Sequence, residues 1–119
     1  MKEIFRMITS NAAKALFLSD SYGQLQETNT NLMLLNKKHD DEFENVLKTD
    51  TENISLLIHQ GTPIFGDERF FNEFDLEEKN YFHFDTKKGK KFVIGHPEKI
   101  SQKIDKILGY HKDFPFLPF

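Results

Sequence analysis

The sequence predicts an α+β domain, with a helix at each end and short antiparallel strands between them. Three observations carry this. Near the start, Ile4, Ile8, Ala12, Ala15 and Leu16 fall on one helical face. In the middle, apolar runs flank two hairpin turns, at Gln60-Gly61 and at Lys87-Lys88-Gly89-Lys90. Near the end, Ile100, Ile104, Ile107 and Leu108 form a stripe between Pro97, a good first-turn residue, and Gly109, a helix stop. With 119 residues the chain suits one compact unit. Residues 1–20 form its helical start, and residues 21–119 its β-rich part with the closing helix.

The elements follow in order. Helix is expected from about 2 to 17, but Thr9-Ser10-Asn11 prefer caps to helix interiors. The stretch therefore divides into a helix ending near Ile8 or Thr9 and a shorter one starting after Ser10 or Asn11. Tyr22-Gly23-Gln24-Leu25-Gln26 and Asn31-Leu32-Met33-Leu34-Leu35 read as short strands on either side of a polar loop. The acidic stretch from Asn36 to Asn53 places Phe43, Val46 and Leu47 at helical spacing, so a short surface helix is expected there. Ile54 to His59 and Thr62 to Phe65 make the clearest hairpin. Pro63 cannot donate a ladder bond, so its strand is an edge or meets a partner there on one side only. Arg69 to Phe74 is aromatic-rich without a decisive period. Tyr81 to Asp85 and Lys91 to Gly95 make the second hairpin. The tail Phe114-Pro115-Phe116-Leu117-Pro118-Phe119 is extended, and apolar enough that packing on the domain is expected.

Composition excludes more than it assigns. There is no cysteine, so disulfides, thiolate metal sites and thiol nucleophiles are all excluded, and a reducing, cytoplasmic setting is expected. A net charge of -3 argues against nucleic acid as a general partner. The apolar runs fall far below the roughly 20 residues that span a bilayer, so no membrane partner is expected. The Met-Lys-Glu start also lacks a signal-peptide pattern. His39, His59, His83, His96 and His111 show neither His-x-His nor His-x-x-x-His spacing. His39-Asp40-Asp41 reads as charged surface. His59 and His83, on strands, read as hydrogen-bonded structural residues. Lys87-Lys88-Gly89-Lys90-Lys91 reads as a solvated hairpin tip rather than an anion site. Phe82 and Phe84 read as one core face of a strand rather than a base-stacking platform. No serine has a nucleophile-elbow context, and the acidic stretch lacks the order of a calcium loop. No catalytic, cofactor-binding or metal-ligating residue is therefore assigned.

The order of the pieces adds a resemblance. Met7-Ile8-Thr9-Ser10-Asn11-Ala12-Ala13-Lys14-Ala15-Leu16 resembles the "M-x-T-x-N-P-A-K-A-L" segment near the end of the amidohydrolase superfamily of metal-dependent hydrolases. Tyr22 to Leu25 resembles its "G-S-L" strand, and Leu32 to Asn36 its "D-L-V-V-L-D" strand. Ile54 to Asp67 resembles its closing "V-x-x-V-I-V-N-G-K-x-V-Y-G-D" hairpin. The four pieces occur in family order across residues 4 to 67. Phe17 stands where the family usually has Gly, Ala12 and Ala13 lack its Pro, and Asn31 replaces its Asp. The loop Gln26 to Asn31 also lacks the family's "P-G-K" turn. Residues 68 to 119 continue beyond the common family ending.

The resemblance implies the C-terminal part of such a hydrolase. Residues 1–20 would be the last helices beside a metal-binding (β/α)8 barrel, and the rest part of a small composite β-sandwich built from both chain ends. The family's divalent-metal ligands lie upstream of this segment and have no counterpart here, so the chain alone would be inert, without a cofactor of its own. The implied partners are the missing barrel portion or a second copy meeting through the first helix, where Ile4, Phe5 and Ile8 are expected to be exposed. The alternative is a free-standing protein-interaction module derived from that domain.

Overall fold

The computed structural model describes residues 2–113; the tail expectation, on residues 114–119, lies outside them. Its order is helix α1 (Lys2–Ile8), α2 (Ser10–Ala15), strand β1 (Leu32–Leu35), α3 (Glu42–Leu47), β2 (Ile54–His59), β3 (Thr62–Asp67), α4 (Glu68–Glu73), β4 (Tyr81–Thr86), β5 (Gly89–Ile94) and α5 (Pro97–Leu108). The strands form one antiparallel sheet in the order β1-β2-β3-β5-β4. The class is α+β. A second sheet, which a sandwich needs, is not formed among the described residues.

Local chemistry explains most boundaries. Thr9 separates α1 from α2 by turning its hydroxyl back to the Phe5 carbonyl, 2.7 Å away. Asp41 caps α3, its carboxylate accepting from the Glu44 N–H at 2.7 Å. The β2–β3 turn places Gln60 and Gly61 at φ 49° and 79°, the mirror-image turn that matches strand twist and favours Gly at its second position. Pro63 pairs Ile58 of β2, whereas β3 pairs β5 only from Phe65 onward. β3 is thus a central strand whose proline sits where only one side is paired.

Tyr22 to Gln26 is not a strand, contrary to the periodicity. The Ser21 and Tyr22 N–H groups bond back to the Leu18 carbonyl at 3.1 and 2.9 Å, closing a turn. Gly23 follows at φ 81°, and a Cβ there would lie 2.8 Å from that of Ala13. This glycine lets the chain fold onto α2, which no extended strand would do. The aromatic stretch without a period is helical: it forms α4, which follows β3 directly.

The core lies between α4 and one sheet face. Phe71 meets the rings of Tyr81, His83 and Phe92 edge-on at centroid distances of 5.5, 4.6 and 5.5 Å. Leu56 completes the buried cluster, and Phe92 is fully enclosed.

α5 ends as its glycine suggests, with Gly109 in the left-handed conformation. Past it, Asp105 accepts from the Lys112 N–H at 3.0 Å and lies 2.7 Å from Nδ1 of His111. The carboxylate holds His111 above its ordinary 6.5, first through the hydrogen bond and then through charge. Those same partners, the imidazolium and the Lys112 N–H, hold Asp105 below its ordinary 3.8. A raised imidazole pKa contributes most below 6.5 and is lost as pH rises through the folded value. A lowered carboxyl pKa contributes above 3.8 and is lost as pH falls through the folded value. The latch is therefore strongest between these limits. In an NMR titration His111 is expected to titrate above a free imidazole, and Asp105→Asn to return it to the ordinary range. An unshifted wild-type midpoint would dismiss the latch.

Candidate functional site

The most conspicuous surface feature is an apolar groove of about 740 Å3 between the two N-terminal helices and the β1–β2 end of the sheet. Phe5, Ile8 and Leu16 form its helical wall, Leu25 the loop side, and Met33 and Leu57 the sheet side. None of its lining residues is an acid, lysine or arginine; His59 is the one titratable imidazole. Leu16 is 66% exposed, Leu25 86% and Met33 49%, far from the burial such side chains adopt in a finished core. The expected patch on α1 is present in part. Ile4 and Ile8 are exposed, whereas Phe5 is half-buried because its ring packs edge-on against Phe43 of α3 at 5.3 Å.

The groove is held open by polar ties at its rim. The Asn31 carboxamide oxygen accepts from the Gln60 N–H at 3.0 Å, and its Nδ2 donates to the Ser21 carbonyl at 3.1 Å. The Gly61 N–H donates to the Thr30 carbonyl at 3.0 Å. The loop after α2 is thereby pinned to the tip of the β2–β3 hairpin, in spite of having no strand of its own.

A second feature is a polar clamp on the sheet face opposite the aromatic core. Lys91 was expected at a solvated tip but is 1% exposed, because it lies on β5 opposite Asp67 of β3. Its ammonium donates to Asp67 at 2.5 Å and to the Ile54 carbonyl at 2.8 Å, and sits 5.5 Å from the centre of the Phe65 ring. Ser55 donates to the other Asp67 oxygen at 2.7 Å and accepts from Arg69 at 3.1 Å. The clamp ties β2, β3, β5 and α4 together. Ser55 is enclosed, and the carboxylate beside it is already engaged by Lys91, so the trio carries no activated nucleophile. Sequence reasoning passed over this clamp. Its only sequence signal is a Lys and an Asp at the same depth of neighbouring strands, which needs the register to be seen.

The remaining candidates disperse. His83 lies 2.8 Å from Glu68 and against Phe71, a hydrogen-bonded structural residue. His59 is exposed at the end of β2 beside the groove. The His39 N–H bonds to Asn45 at 3.1 Å, His96 approaches the Lys79 carbonyl at 3.1 Å, and His111 belongs to the α5 latch. Phe82 and Phe84 share one face of β4 with rings stacked at 6.1 Å. Among the described residues no group of three or more acids or histidines is arranged to hold a metal ion. No described helix is long and apolar enough to cross a membrane.

Comparison with family models, with curated proteins and with solved structures finds no match.

Proposed function

We propose that this chain is the C-terminal β-domain of an amidohydrolase-like, metal-dependent C–N hydrolase, and that its apolar groove seats the remainder of that hydrolase. One observation carries the reading. All four segments that resemble the superfamily contribute to the groove: α1 and α2, Tyr22 to Leu25, β1, and the β2–β3 hairpin. The resemblance and the uncovered apolar surface coincide, as they would if the shared pattern maintains a contact face. Phe17 adds support: it has φ 58° and is 95% exposed. That backbone suits glycine, the family's residue there, and costs a bulky side chain about 1–2 kcal/mol.

On this reading, the chain's task is to dock. The clamp and the aromatic core keep the sheet rigid, and the groove offers that rigid wall to the barrel. The catalytic metal and its ligands belong to the partner, and the chain alone turns nothing over. The reading expects an upstream coding region for a barrel with those ligands. Its test is complex formation with that barrel, alongside amide, ester and deamination assays of the chain alone. Turnover by the isolated chain, dependent on one of its own histidines, would overturn it.

A further inference from the structure

A smaller cleft, of about 510 Å3, lies where α1 and α2 meet the loop after α2, with Phe43 of α3 in its lining. It shares Phe5, Thr9, Gly23 and Gln24 with the apolar groove but differs from it in charge. Lys2 and Arg6, one turn apart on α1, and Lys14 of α2 line it, and no acid does. The chain carries 19 acids against 16 lysines and arginines, so three cations gathered without an acid depart from its average surface. None of the three makes an ion pair among the described residues. From α3 only Phe43 reaches the cleft, and Glu44, next in the chain, is held by Lys48.

The neutral side chains of the cleft add donors. Thr9 spends its hydroxyl proton on the Phe5 carbonyl. The Ser10 hydroxyl and the Asn11 carboxamide make no hydrogen bond among the described residues, so both can donate to a ligand. Gln24 accepts from Gln26 through its oxygen at 3.4 Å, which leaves its NH2 group to donate. The loop that carries Gln24 is held close: a Cβ on Gly23 would lie 3.0 Å from both the Ser10 Cα and the Thr9 carbonyl oxygen. Donors and cations thus converge on one side, beside the edge-on pair of Phe5 and Phe43.

We propose that this cleft binds a small organic diphosphate, its phosphoryl oxygens held by Lys2, Arg6 and Lys14 and its organic part against Phe5 and Phe43. The chemistry of the lining selects the class. A site of donors and cations without a carboxylate suits a ligand that is anionic and made of acceptors. Arg6 offers a planar fork that fits two phosphoryl oxygens, and the lysines add point charges on either side. A single phosphate ester carries about −1.5 to −2 of charge, which leaves part of the triple positive charge unmatched; a second phosphoryl group matches it. The inference concerns this chain's own side chains and does not rest on the hydrolase reading.

Isothermal titration calorimetry of the full chain tests it. One inorganic diphosphate is expected to bind per chain, ADP more tightly, and adenosine not at all. The cations are exposed, so the affinity is expected to fall as salt screens them. Arg6→Gln and Lys14→Gln are each expected to weaken binding about tenfold, with thermal unfolding unchanged because both side chains are exposed. Lys103→Gln removes the same charge from the exposed part of α5 and is expected to leave binding as it is. No binding at millimolar diphosphate, tighter binding of citrate, or an equal loss in Lys103→Gln overturns the inference and leaves barrel docking standing. Binding of a single-stranded oligonucleotide or of phosphoinositide vesicles, with none of free diphosphate or ADP, also overturns it and assigns the cleft to a larger polyanion.

Discussion

Phe92→Ala is expected to destabilise the domain by about 3–5 kcal/mol. The ring is fully enclosed and touches both Phe71 and Tyr81 edge-on, at 5.5 and 5.6 Å. It bridges α4 to the sheet, so its removal leaves a cavity that two strands and a helix cannot all close. Small domains hold only about 5–15 kcal/mol in total, so the variant is expected to lie near the edge of folding. Urea denaturation followed by circular dichroism reads the loss. A cost below about 1 kcal/mol would mean that the α4–sheet contact is not the core.

Asp67→Ala is expected to cost a similar amount, and clearly more than Lys91→Met. The asymmetry follows from exposure. The Lys91 side chain is 2% exposed and that of Asp67 26%. Without Asp67, the ammonium keeps only the Ile54 carbonyl and the Phe65 ring in a site that excludes water. Breaking a buried pair in this way costs about 3–5 kcal/mol. Without Lys91, Asp67 keeps Ser55 at 2.7 Å, has Arg69 at 3.8 Å and still reaches solvent. Replacing both by Leu and Met removes the buried charges together and is expected to recover most of the loss. Denaturant midpoints of the four proteins decide it. Equal costs for the two single variants would show that the ammonium finds another acceptor.

The legible parts of this fold were those set by short-range chemistry. Gln60-Gly61 announces its hairpin because few residues accept that turn, and Pro97 and Gly109 bracket α5 by first-turn and left-handed preferences. Thr9 marks the break between α1 and α2 through a hydroxyl that competes for the backbone. What was not legible depended on tertiary partners. Tyr22 to Gln26 has strand-like residues, but the close approach of Gly23 to Ala13 turns it away from the sheet. Phe70 and Phe71 look equally suited to strand or helix until the core places them on α4. Lys91 looked like part of a solvated run, and only the β3–β5 register shows it facing Asp67. Exposure was foreseen on α1 at Ile4 and at Ile8, which lines the groove, but not at Leu25 and Met33, since no local rule tells an apolar residue facing a partner from one facing the core.

The most direct test of the docking account is a binding titration of this chain against the metal-loaded barrel polypeptide, repeated with Leu25→Glu. Leu25 lines the groove and is 86% exposed, so its substitution leaves the fold intact while placing a charge where the account requires apolar contact. The account predicts a one-to-one complex with the wild-type chain that Leu25→Glu abolishes. A complex formed equally well by both, or no complex with the wild-type chain, would contradict it.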